Sequence, residues 1–161
     1  MMYRQFITTG MNKMKTEDLF TEKQAYLDRF HASGYPAAFE EYQLQTGAFF
    51  DACDNACPAE EGNIDDFCRE IAGQICSYAA EQKKQMGFRN EREEEAWQRE
   101  CNLFMVSYVF PAILECRNSY YKPLAKAIEK TWAKTFKSSK IKAATFETIN
   151  SGFHKKILGL F

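Results

Sequence analysis

The chain has 161 residues, of which 45% are apolar, 15% aromatic and 27% charged, with a formal net charge of −1. A chain of that size buries one core without crosslinks or metals, and four Pro with eight Gly are too few for a linker-rich or disordered polymer. The small net charge hides an asymmetry: residues 1–100 carry eleven Lys/Arg against nineteen Asp/Glu, a balance of −8, and residues 101–161 carry ten against three, a balance of +7. The first reading is that the acidic and basic halves fold against each other; the second is a basic surface for an anionic partner.

Residues 1–15 read as a poorly ordered leader, with Met11 and Met14 as alternative starts, and they lack the apolar core of a secretory signal. The first predicted helix runs over 17–33, with Thr16 as N-cap and Glu17 and Asp18 at the positive end of its dipole. Leu19, Tyr26, Leu27 and Phe30 share one of its faces, and Ser33-Gly34 stops it. Pro36 opens the second helix, in which Phe39, Tyr42, Thr46, Phe49, Phe50, Cys53 and Cys57 recur at helical intervals until Pro58 and Gly62 close it. Asn63 is the expected N-cap of the third, whose buried face is Ile64, Phe67, Cys68, Ile71, Ile75, Tyr78 and Ala79, and Gly87 ends it.

Asn90 caps the fourth predicted helix, and Glu91, Glu93, Glu94 and Glu95 load its first turns. Trp97, Cys101, Phe104, Tyr108, Ala112 and Cys116 form its stripe. The segment Leu103–Leu114 is apolar nearly all round, as for a helix enclosed by others, and falls short of the roughly 20 residues that cross a bilayer. Pro111 is expected to kink or break it. Pro123 opens a fifth helix with Leu124, Ile128, Trp132 and Phe136 facing inward and Lys122, Lys126, Lys130, Lys134 and Lys137 outward, up to Ser138-Ser139. A last segment over 141–157 has Ile141, Ala144, Thr145, Ile149, Phe153 and Ile157 in register, weakened by Gly152. No strand-type alternation and no internal repeat occurs. These elements predict an all-α single domain over 16–161, a bundle of five or six antiparallel helices, cytoplasmic and without a membrane span.

Few residues suggest chemistry. Cys53/Cys57 and Cys68/Cys76 each project from one side of a helix, so four thiolates could bind zinc or an iron–sulfur cluster. They also sit on the apolar stripes, where Cys packs as a small hydrophobe, and no C-x-x-C occurs; buried, reduced core thiols are the preferred reading. His31 and His154 have no acid or nucleophile at a suggestive spacing and read as surface or capping residues. Glu93–Glu95 read as a solvated helix start, with Glu95 and Arg99 placed to pair; no Glu-x-x-His and no phosphate-cradling Gly loop exists.

The Lys row at 122, 126, 130, 134 and 137 reads first as a solvated or internally paired face and second as a surface for an anionic partner, nucleic acid or protein, with Lys140, Lys142, Lys155 and Lys156 nearby. Residues 124–150 can even be read as helix–turn–helix, but Arg117 is the one Arg after residue 101 and the turn lacks its Gly. The function this supports is a non-catalytic module that binds another protein or itself, with no cofactor. The alternative is a nucleic-acid-associated regulator using the Lys face, and a third reading is a thiol- or metal-dependent protein.

Overall fold

The computed structural model describes residues 15–33, 36–57, 61–115, 121–137 and 139–143, and among them the protein is helix, turn and short coil without a strand. The predicted leader therefore lies outside the described residues, except for Lys15. The described chain opens with a 3₁₀ turn at Thr16–Phe20, followed by α1 (Lys23–Ser33), α2 (Pro36–Ala56) and α3 (Glu61–Lys84). Next come α4 (Glu91–Phe104), a π-helical turn at Met105–Val109 and α5 (Phe110–Leu114), which together form one continuous helical stretch, and then α6 (Tyr121–Thr135).

The first predicted helix is two pieces. Thr16 is not its N-cap: the hydroxyl donates to Gln74 Oε1 on α3 at 3.0 Å, and the Asp18 carboxylate accepts the Lys15 N–H at 2.8 Å. The chain then breaks at Thr21, which is extended, and Glu22, at φ 60. The break still delivers Leu19, Phe20, Tyr26, Leu27 and Phe30 to the core. The third helix begins at Glu61 rather than after Asn63, which lies inside the first turn. Gly87, at φ 63, makes the left-handed turn beyond α3 that its lack of a Cβ permits. Asn90 caps α4 as expected, its side chain accepting the Glu93 N–H at 2.9 Å.

Pro111 does not break the central helix. The Phe110 N–H reaches back to Met105 O, an i→i−5 bond that closes the π turn immediately before the proline. In an α-register the ring would meet the carbonyl four residues back; a wider turn opens that space. Residues Cys101 to Ile113 are all buried, so the apolar run is the enclosed element. It packs on α1 through α4, on α2 through the π turn and α5, and on α6 through α5, while α3 lies along α6 and the 3₁₀ turn.

The core is rich in rings. Tyr42 stands edge-on to Tyr26 (5.3 Å between centroids), Phe104 (5.5 Å) and Tyr108 (5.4 Å). Each phenol that enters this core carries its polar tip to a partner: Tyr42 donates to Leu19 O, Tyr108 to Tyr26 O and Tyr26 to Gln45 Oε1. Ser107 is the exception, fully buried with no hydrogen-bond partner for its hydroxyl among the described residues. Leu124, Ile128, Trp132 and Phe136 are buried as predicted. Beyond α6, residues 139–143 are not helical, so the predicted last helix does not begin at Ile141; its remainder lies outside the described residues. Ile141 is buried nonetheless. None of the helices among the described residues is long and apolar enough to cross a membrane.

Candidate functional site

The lysine row follows from the amphipathic pattern of α6. Leu124, Ala125, Ile128 and Trp132 turn inward, mostly against α3, which leaves Lys122, Lys126, Lys130 and Lys134 exposed. At 3.6 residues per turn these four fall within an arc of about 120° and are about 6 Å apart along the axis. Lys137 follows just past the helix, and Lys140 and Lys142 are exposed as well. The one acid of α6, Glu129, is half-buried at the edge of the row, with its carboxylate accepting the Ala143 N–H at 2.7 Å.

Among the described residues no ion pair includes any of these lysines. The pairs are Arg29–Glu41, His31–Glu100, Arg69–Asp66, Lys83–Glu94 and Arg89–Glu93, all within residues 1–100. The basic and acidic halves do fold against each other, since α6 lies along α3, but among the described residues no ion pair joins them. Arg69–Asp66 and Arg89–Glu93 pair within three or four residues, the other three pairs join different helices, and pairing of either kind favours the charged carboxylate. Glu93 shows the effect most clearly: the Arg89 guanidinium and backbone N–H hold its carboxyl below the usual range. Glu95 and Arg99, the predicted pair, are exposed and form no ion pair among the described residues.

The row ends at an open polar groove of about 670 Å³ between α4 and Lys137, Ser139 and Lys140. Lys83, Arg99, Lys137 and Lys140 line it together with Glu91, Glu94 and Glu95. Asn102 forms its floor: the side-chain oxygen accepts from Trp132 Nε1 (2.9 Å) and Gln98 Nε2 (3.0 Å), and the amide donates to Ser139 Oγ (3.3 Å). This network ties α4, α6 and the following segment together. Sequence reasoning missed it, because Asn102 sits at the start of an apolar run and its partners are 30 and 37 residues away. A second pocket of about 350 Å³ has Phe20, Met86 and Trp97 on its walls and Cys101 among its lining, with Lys23 Nζ 4.9 Å above the Trp97 ring.

Cys53, Cys68, Cys76 and Cys101 are buried and Cys57 is half-buried; none of the five is in a disulfide, and Cys116 lies outside the described residues. Burial pushes the Cys68 and Cys76 thiols up to about 12 and Cys101 up to about 11. Cys57 lies close enough to Cys68, and Cys101 to Cys76, to add to those shifts. The neighbours are thus not the four-thiol set read from the spacing, and no three His, Cys, Asp or Glu among the described residues are grouped to hold a metal ion. His31, in the last turn of α1, does meet an acid: Nε2 lies 3.2 Å from Glu100 Oε1, contributed by α4 from 69 positions away. Both groups are well exposed. His154, Lys155 and Lys156 lie outside the described residues. No family model, curated protein or solved structure matches the chain.

Proposed function

We propose that this protein is a non-catalytic helical binding module that grips an acidic macromolecular surface with the α6 lysine face. One observation carries the reading: Lys122, Lys126, Lys130, Lys134 and Lys137 are exposed side by side and none is ion-paired within the described chain. A row of like charges on one helix face costs stability, since each i,i+4 pair of equal sign destabilises a helix by a few tenths of a kcal/mol. Lys122 adds a cation to the first turn, where the helix dipole disfavours it. An anionic partner turns both penalties into attraction. Burial of Cys68, Cys76 and Cys101 favours a binding role over a thiol enzyme at those positions, because their raised pKa values keep them protonated near neutral pH.

A titration of the protein with fluorescent poly-glutamate and with duplex DNA at several salt concentrations tests this. Wild type is expected to bind an acidic polymer, and the Lys122→Gln, Lys126→Gln, Lys130→Gln, Lys134→Gln variant to lose most of that binding while keeping its circular dichroism. Binding that persists in the variant would remove the lysine face from the function. The nucleic-acid alternative predicts preference for duplex DNA, with a log–log salt slope near −0.9 per phosphate contacted. The absence of Arg from α6 weighs against it, because Arg is the usual bidentate reader of bases and phosphates.

A further inference from the structure

The acidic counterpart of α6 is α2. Its 21 residues include Glu40, Glu41, Asp51 and Asp54 and no Lys or Arg. With Phe39, Tyr42, Phe49, Phe50 and Cys53 buried, the opposite side presents Glu40, Glu41, Leu44, Ala48, Asp51 and Asn55, all exposed. At 3.6 residues per turn these six fall within an arc of about 100°. Leu44 stands in the middle of that face at 85% exposure, the most exposed large hydrophobic side chain among the described residues. It lies between the Glu40/Glu41 pair on one side and Asp51 on the other, acids about 15–16 Å apart along the helix. The lysines of α6 span about 18 Å from Lys122 to Lys134, with the half-buried small residues Ala127 and Ala133 beside them. One face therefore offers acids around an exposed leucine, and the other lysines with long aliphatic stems around small residues.

We propose that α2 of one copy docks on α6 of a second copy, so that the acidic macromolecular surface of the functional reading is this chain itself. The inference rests on that reading of the lysine face. Within one chain no ion pair joins the two helices among the described residues, and α6 packs chiefly on α3. Charge complementarity selects the occupant. The two faces carry opposite signs while the whole chain carries −1, so copies that join α2 to α6 neutralise both faces together. A foreign polyanion would cover α6 and leave Leu44 and the α2 acids in water. The contact is small: α6 is about 22 Å long, which places it among weak, concentration-dependent interfaces rather than obligate ones. Leu44 supplies the apolar anchor, lying on the Lys methylene stems and the Ala side chains. The contact is heterologous, joining different patches of the two copies.

Sedimentation velocity of the full chain at low salt, over micromolar to millimolar concentration, is the test. Wild type is expected to associate as concentration rises and to dissociate on adding salt. Glu40→Lys with Asp51→Lys, and separately Lys126→Glu with Lys130→Glu, are each expected to weaken association at least about tenfold; Leu44→Ser should also weaken it. Glu41 is left intact because it pairs with Arg29. Mixing the two charge-reversed variants should restore association, since a basic α2 then meets an acidic α6. That rescue separates a specific contact from a folding defect, and circular dichroism of each variant checks the fold. A monomeric wild type, association unchanged by the α2 substitutions, or no rescue on mixing would overturn the proposal. Monomeric wild type that still binds poly-glutamate or duplex DNA through the lysines would overturn self-association and leave the lysine-face reading standing; binding to neither would remove both.

Discussion

At the scale of single residues, the interior was the legible part. Phe49, Phe67, Ile71, Phe104, Trp132 and most of the cysteines sit on stripes of helical period, and all are buried. What the stripe does not encode is the polar contact made inside the core. The Trp132 indole N–H ends on Asn102 Oδ1, a residue that shares no local pattern with it. Trp132→Ala is expected to cost about 3–5 kcal/mol by the loss of a fully buried ring. Trp132→Phe keeps most of the ring volume and should cost about 1 kcal/mol, the worth of one hydrogen bond. Urea denaturation measures both, and equal costs would mean that the hydrogen bond rather than the packing anchors α6. The thiols make a second forecast. A thiol is neutral when protonated, so a raised pKa means that the folded chain holds its proton to higher pH than the unfolded chain. The stability contributed by Cys68, Cys76 and Cys101 is intact below their ordinary value of 9.0 and is lost as pH rises toward about 11–12. Each should remove on the order of 1 kcal/mol per pH unit within that window. Tyr42 and Tyr108, also raised by burial, add to the loss above pH 10. The melting temperature is therefore expected to fall steadily above pH 9; a flat profile to pH 11 would show that these thiols ionise in the folded state as readily as in the unfolded one.

At the scale of elements, the Gly87 stop and the Asn90 cap are legible in the sequence, Gly62 and Asn63 mislead because both lie inside the first turn of α3, and breaks made without such residues are hidden. Asn90 and Gly87 announce the turn between α3 and α4. The break at Thr21-Glu22 has no such mark, because a glutamate adopts the positive φ that glycine or asparagine usually takes. The π turn was hidden for another reason. Proline in a helix interior signals a kink, and a one-residue widening of the helix absorbs the missing N–H without breaking the buried run. Because the turn already accommodates the ring, Pro111→Ala is expected to change stability by less than about 1 kcal/mol, rather than return the roughly 3 kcal/mol of an interior proline. A gain near 3 kcal/mol in chemical denaturation would show that the proline strains the central helix. The acidic face of α2 was legible but unread: residues 36–57 contain no Lys or Arg, and Leu44 falls off the stripe that Tyr42, Thr46 and Phe49 define.

At the scale of the molecule, the charge asymmetry of the sequence persists in the fold, because among the described residues every ion pair joins groups within residues 1–100 and none reaches the lysines of α6. Arg29, Arg69, Lys83 and Arg89 each take a nearby carboxylate. The lysine row is left without an ion pair among the described residues, with the Glu129 carboxylate at its edge taken up by the Ala143 N–H, and this fixes the sign of a salt experiment. If α6 were paired internally, salt would screen an attraction and destabilise the fold, and the four-fold Lys→Gln variant would be less stable than wild type. With the row unpaired, salt screens a repulsion. The Gln variant should then match or exceed wild type by up to about 1 kcal/mol at low salt, from three i,i+4 like-charge contacts of a few tenths of a kcal/mol each. That advantage should shrink by 0.5 M salt, where the screening length is only a few ångströms. Measurement by denaturation at low micromolar protein keeps association between copies out of the comparison. A Gln variant that is less stable at low salt, with the deficit vanishing as salt rises, would mean that the lysines find carboxylates within their own chain, and the binding face proposed for α6 would be part of the fold instead.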